Sequence, residues 1–349
     1  MGYSAKNERL RIWSPRESRS ALGATSAVKL FALQATAELG AEIARFLGIS
    51  LAAHEEREFE DGEHKARPLE TVRGADIFVV QSLHGGPSQS ANDKLCRLLF
   101  FIGALKDAGA ANVTAIVPYL AYARKDRRTK LNDPVTTRYI ASMFEAVGTN
   151  CIVTLEVHNP AAYENAFRCR TVTLTGTPLF VDYARTLPNE QLAVVSPDPG
   201  GVKRAELFRE TLELALGRPI GKGFADKHRS AGVVTGDLFI GDVEGATALL
   251  IDDLISTGNT LLRAATAARK AGARRVIALV THGLFMEGAA AALADSAIER
   301  IVLTDSVPAF RLPPGPVHDK LVILPAAPLL AEAIRRIHEN ESLTELVVF

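Results

Sequence analysis

Short, almost uninterrupted apolar runs separated by Ala-rich helical stretches govern what this chain can fold into. IFVVQ, VTAIVPYL and CIVTLEV in the first half have the length and composition of strands, as do LAVVSPD, ATALLIDD, RRVIALVTHG and ERIVLTDSV in the second. Between them lie LCRLLFFIGALKDAG, TTRYIASMFEAVG, VKRAELFRETLELALG and LLRAATAARKAG, which read as helices. Strands alternating with helices predict a parallel α/β architecture. Strands apolar along their whole length predict sheets covered by helices on both faces, a doubly wound and mostly parallel layout.

The pattern occurs twice. AGA-x-x-V-x-A-x-V at 108–117 returns at 271–280, and GADIFVVQS at 74–82 returns as GATALLIDD at 245–253. With 349 residues the chain has room for two units that each bury a core. Where the second copy ends its strand in Asp252-Asp253, the first has Gln81-Ser82 and a longer loop, LHGGPSQSAND. The reading is a 1–26 extension, a first lobe over 27–170 rejoined by the helix near 326–340, and a second lobe over 171–325.

Composition narrows the function. Lys plus Arg and Asp plus Glu are balanced at 40 each, so no global field favours nucleic acid or an anionic membrane. The longest apolar run, 98–105, is too short to span a bilayer, and the first 20 residues lack the apolar centre of a secretory signal. Three cysteines (Cys96, Cys151, Cys169) without metal-type spacing suit a reducing compartment, and a cytoplasmic location follows.

The strand-to-helix junction IDDLISTGNT carries the sharpest chemistry. Ligands of open parallel sheets bind at the carboxyl ends of strands, where Asp252 and Asp253 fall. Ser256, Thr257, Gly258, Asn259 and Thr260 then lead into a helix, and such a turn offers N–H groups and hydroxyls to a phosphate. Two carboxylates should repel that anion. The conflict dissolves if one ligand has two ends, with vicinal hydroxyls on the carboxylates and a phosphate on the turn: a sugar phosphate.

This junction resembles the phosphoribosyl diphosphate motif of type I phosphoribosyltransferases and ribose-phosphate pyrophosphokinases. FEDGEHKARPLETVRGADIFVVQS, PYLAYARKDRR, VVSPDPGGVKRAELF, THGLF and LAEAIRRIHENESLTELV, in that order within a duplicated layout, resemble the second family from about residue 28 to the end. The resemblance implies two related phosphoribosyltransferase-like lobes, ATP mainly on the first and ribose 5-phosphate on the second. It implies transfer of the diphosphate of ATP to the 1-hydroxyl of ribose 5-phosphate, with AMP released. Positioning, Mg²⁺ and surrounding cations serve such a transfer more than covalent chemistry does.

By the same resemblance Phe59, Asp61 and Glu63 hold adenine, and Arg124 serves the ATP phosphates with Lys125 where Gln is usual. Lys227 and Arg229 are the catalytic cations, on a segment, GKGFADKHRSAGVVTGD, whose polar, Gly-rich character predicts a mobile loop. His158 falls at the family's metal-linked and ATP-side histidine, with Glu156 where Asp is usual and a different pattern over 159–167. Asp198 matches a second Mg²⁺-side contact, and Ser256 stands where Asp is usual. Family members form homo-oligomers, dimers assembled into hexamers, with inorganic phosphate and ADP as effectors. A catalytically silent regulatory homologue is the alternative, and a phosphoribosyltransferase a weaker one because it needs only one lobe.

Overall fold

The structure, a computed structural model, describes residues 13–14, 28–187, 190–230 and 233–347, with the backbone alone for 227–230 and 233–238. The first unit runs β1 (Val28–Ala32), α1 (Ala37–Leu47), β2 (His54–Glu58), β3 (His64–Pro68), β4 (Asp76–Val80) and α2 (Ala91–Asp107). It continues with β5 (Asn112–Val117), α3 (Thr136–Ala146), β6 (Cys151–Leu155), α4 (Pro160–Ala166), β7 (Arg170–Leu174) and α5 (Thr177–Ala184). The second begins with β8 (Leu192–Ser196), α6 (Val202–Leu216), β9 (Gly221–Ser230), β10 (Val233–Gly241), β11 (Thr247–Ile255) and α7 (Asn259–Lys270). It ends with β12 (Arg275–Gly283), α8 (Ala289–Leu293), β13 (Arg300–Thr304), β14 (Leu321–Leu324) and α9 (Ala327–His338).

The repeat seen in the sequence is a repeat of topology. The first sheet is ordered β1-β4-β5-β6-β7, and the second contains β8-β11-β12-β13-β14 in the same parallel arrangement. Each unit inserts an antiparallel pair between its first two core strands. In the first unit β2–β3 stand apart as a small sheet, whereas β9–β10 extend the edge of the second sheet. Sheet membership puts the change-over between units after Leu174, a few residues later than 170, because β7 pairs with β6.

Alternate residues of each strand feed opposite faces. In the first unit Phe31, Ile77, Val79 and Val113 pack under α2, α3 and α4, while Leu30, Phe78, Val80 and Val153 pack under α1 and α9. In the second, Val195, Leu250 and Val280 face α7 and α8, while Val194, Leu249 and Ile277 face α5 and α6. The units therefore exchange their last helices. α5, which follows the first sheet, covers the second, and α9, which follows the second sheet, packs on α1 of the first. Gly40 makes that first layer thin, since a Cβ there would sit 2.1 Å from the Ala32 Cβ.

Two sequence expectations change. In the segment expected as a mobile loop, residues 221–230 and 233–237 are strand: β9 pairs antiparallel with β10. Gly223 of β9 and Gly241 of β10 are sites of close approach, since a Cβ on Gly223 would lie 2.8 Å from the Phe239 ring and one on Gly241 2.3 Å from the Lys222 carbonyl oxygen. Within the 1–26 extension, Trp13 and Ser14 are part of the body. Trp13 is buried in the α1–α9 core, and Ser14 Oγ donates to Asp182 Oδ2 on α5 at 2.8 Å. The rest of the extension lies outside the described residues. No helix among the described residues is long and apolar enough to cross a membrane.

Candidate active site

β11 carries Asp252 and Asp253 and runs on to Ile255, because Leu254 still pairs with His282 of β12. The chain then turns through Ser256–Gly258 into α7. Gly258 adopts φ +76°, and a Cβ there would lie 2.9 Å from Leu293 Cγ, so only glycine fits the turn. A cavity of about 150 Å³ opens above it, lined by Ser256, Thr257, Gly258, Thr260, both aspartates, Asp198, His158 and Arg124. Asn259 does not line it; its amide donates to Thr257 Oγ1. A second cavity of about 910 Å³ shares Asp198, His158, Asp252 and Asp253 and adds Asp126, Arg127, Glu156, Lys203 and Arg204.

The acids are organised by a residue that motif reading did not single out. Arg204, in the first turn of α6, reaches Glu156 Oε1, Asp252 Oδ1 and Asp253 Oδ1 at 3.3 Å each. Its signal was available, because cations are unfavourable in the first turn of a helix and α6 has no acid there to offset Lys203 and Arg204. A cation in that place needs a partner elsewhere in the fold.

Glu156 comes from the other unit. It adopts φ +52°, a strained backbone that costs about 1–3 kcal/mol and persists only when its surroundings hold it. Three bonds do so. Its N–H donates to the Leu174 carbonyl at 2.7 Å, its carbonyl accepts from His282 Nε2 at 3.2 Å, and its carboxylate accepts from the Gly176 N–H at 3.2 Å. His282 is in turn oriented by Ser306 at 2.8 Å.

Charge is unevenly shared. Burial pushes Asp252 well above the usual carboxylate range, and the charge on Asp253 adds to it. Burial also opposes ionisation of Asp253, but the hydrogen bond from His158 and the charge of Arg204 outweigh it and hold Asp253 low. His158 Nδ1 lies 3.0 Å from Asp253 Oδ2, and that bond raises the imidazole above its ordinary value. Burial raises Glu156 as well.

The other expected residues divide. Arg124 joins the small cavity, whereas Lys125 is held by Asp133 and Thr129 and lines neither cavity. Phe59, Asp61 and Glu63 sit at the turn joining β2 and β3, also outside both cavities, with the Arg57 guanidinium 5.0 Å from the Phe59 ring. Lys227 and Arg229 fall on β9, and their side chains lie outside the described ones.

Comparison with known proteins decides the family. The sequence profile described as the N-terminal domain of ribose phosphate pyrophosphokinase matches residues 28–148, and a phosphoribosyl synthetase-associated domain matches 234–348. The ribose-phosphate pyrophosphokinase of Caldanaerobacter subterraneus subsp. tengcongensis is 39% identical over 324 residues, covering 92% of this chain and 98% of that one. The chain belongs to the ribose-phosphate pyrophosphokinase family. The Bacillus caldolyticus member is 36% identical over 91% of this chain and 97% of its own. The crystal structure of phosphoribosylpyrophosphate synthetase from Mycobacterium smegmatis superposes with a TM-score of 0.80 at 33% identity, covering 90% of this chain and all of that one. A ribose-phosphate pyrophosphokinase is a diphosphate-transferring enzyme, and the Asp252–Asp253 junction is its outstanding constellation here.

Proposed function

We propose that the junction after β11 binds ribose 5-phosphate and that the cavities beside it bring the diphosphate of ATP to its 1-hydroxyl, giving 5-phosphoribosyl 1-diphosphate and AMP. The observation that carries this reading is the joining of two opposite chemistries in one small cavity. Asp252 and Asp253 present acceptors for vicinal hydroxyls, while Ser256, Thr257, Gly258 and Thr260 present the turn and helix start to the 5-phosphate. Asn259 braces the turn through Thr257. Arg124, which lines the same cavity from the first-lobe side, is proposed to meet polyphosphate.

Mg²⁺ suits the residues present. Among the described residues no three His, Cys, Asp or Glu side chains converge as a metal cage. Mg²⁺ is commonly held by one or two protein groups with water and substrate phosphates completing its shell. Asp198 and His158 both line the two cavities. His158 Nδ1 is engaged by Asp253, so its Nε2 would be the atom that turns to the ion. When bound, the ion would neutralise the phosphates and orient the diphosphate.

Lys227 and Arg229 are proposed as the cations that meet the charge developing on the transferring diphosphate. Phe59, Asp61 and Glu63 are proposed to hold adenine, with Lys125 at the edge of the phosphate path. Their position on a turn outside both cavities favours an ATP site completed by a second copy of this chain, in a dimer or hexamer. Exposed Phe100 and Tyr139 offer apolar surface for such contacts.

Incubation with ATP, ribose 5-phosphate and Mg²⁺ tests the proposal. AMP should form only when ribose 5-phosphate is present. No AMP over a range of inorganic phosphate concentrations would contradict it and favour a regulatory homologue.

A further inference from the structure

We infer that Arg204 is the positioning residue that holds Asp252 and Asp253 ready for the sugar hydroxyls, and that Glu156 anchors it from the other lobe. This rests on ribose 5-phosphate binding at the aspartates. A guanidinium is a planar fork of donors. All three nitrogens of Arg204 are directed to carboxylates at 3.3 Å: Nε to Glu156, Nη1 to Asp252 and Nη2 to Asp253. With its side chain only 20% exposed and its fork committed, Arg204 acts on the carboxylates and leaves the phosphate to the turn.

The need for it follows from placing two carboxylates side by side. Adjacent like charges either share a proton or swing apart, and either outcome removes acceptors from the site. Asp253 has His158 as a second partner. Asp252 receives the Asp253 N–H at 2.9 Å and Arg204, and burial already pushes it toward its neutral form. Removing Arg204 therefore takes the compensating charge from the carboxylate that most needs it.

Glu156 completes the device. Its strained backbone is fixed by Leu174, His282 and Gly176, so its carboxylate is a rigid stop against which Arg204 rests. The clamp spans the lobes, Glu156 following β6 of the first and Arg204 opening α6 of the second. The sugar acceptors are thus aimed by the same contact that registers one lobe on the other.

The test compares ribose 5-phosphate with 2-deoxyribose 5-phosphate, using kcat and KM for each with the intact chain, ATP and Mg²⁺. The unaltered protein should prefer the ribose form strongly, because a site built around a hydroxyl rejects the analogue lacking it. Arg204→Met, similar in length without charge, should raise the ribose 5-phosphate KM on the order of ten- to a hundred-fold with kcat within about three-fold. It should also shrink the preference for ribose at least about ten-fold, and Arg204→Lys should restore part of it. Glu156→Gln should shift the preference in the same direction by less, and it carries the test if Arg204→Met does not fold.

Equal loss on both sugars with the preference unchanged would overturn the positioning role. So would a loss confined to kcat. If the unaltered protein itself fails to distinguish the two sugars, the assignment of Asp252 and Asp253 to the hydroxyls falls, and the positioning role with it. That failure is recognisable because it precedes any substitution.

Discussion

β4 and β11 hold equivalent places in the two sheets, yet the chain ends them in opposite ways. β11 carries two acids near its end that open onto cavities, with Arg204 and His158 as counter-charges. β4 is followed by Gln81 and Ser82, both fully buried, and Thr36 bonds to each of them. Thr36 Oγ1 donates to Gln81 Oε1 and accepts from the Ser82 N–H, each at 3.1 Å. Ser82 Oγ then donates across to the Ser306 carbonyl at 2.7 Å, and Arg311 Nη2 donates to the Gly85 carbonyl at 2.6 Å. One copy of the junction is open to a ligand, while the other has become a seam between the lobes. Ser306 belongs to both stories, since it also orients His282 behind Glu156.

The comparison can be broken most decisively at the acids. Asp253→Asn, which keeps shape and removes charge, should lower kcat/KM for ribose 5-phosphate by about a thousand-fold or more, as loss of substrate-directed groups does. Ser82→Ala at the equivalent place should leave kcat/KM within about three-fold. Comparable losses from the two would erase the division of labour. Lys227→Ala should lower kcat by about a hundred- to a thousand-fold, the scale for removing a group that meets transition-state charge. Calorimetry on that variant should find ribose 5-phosphate affinity nearly unchanged, and an equal collapse of affinity would contradict its assignment.

Smaller effects sharpen the seam. Ser82→Ala should cost roughly 1–3 kcal/mol of unfolding free energy, because it leaves a buried carbonyl at Ser306 without that donor. Denaturant titration measures it. The seam should also be sensitive to acid. His84 is lowered to about 3 by burial and by the charges of Lys94 and Arg311. The fold therefore keeps this imidazole neutral while the unfolded chain protonates it near its ordinary value. The unfolded state binds the extra proton between those limits, so stability should fall as pH drops from about 6.5 toward 3. His84→Leu should flatten that part of a melting-temperature profile, and an unchanged slope would remove His84 from the account.

Much of this is legible in the sequence. Uninterrupted apolar strands demanded helices on two faces, and repeated Gly-centred segments marked two related units. A carboxylate pair before Ser-Thr-Gly-Asn-Thr marked the junction on which the small cavity opens. Other features depend on three-dimensional register. The β9–β10 pair was hidden because Gly221 and Gly223 read as loop residues, although they allow close approach within a strand pair. Arg204 was unremarkable among the charges of α6 until the fold set it opposite Glu156, and the first-turn penalty was its one sequence signal.

A crystal structure of the protein with ribose 5-phosphate bound decides which junction takes the sugar. The 5-phosphate should lie against Ser256–Thr260 and the ring hydroxyls within hydrogen-bond distance of Asp252 and Asp253, with nothing bound at Gln81–Ser82. A sugar whose hydroxyls face away from both aspartates, or one seated at the first-lobe junction, would contradict it.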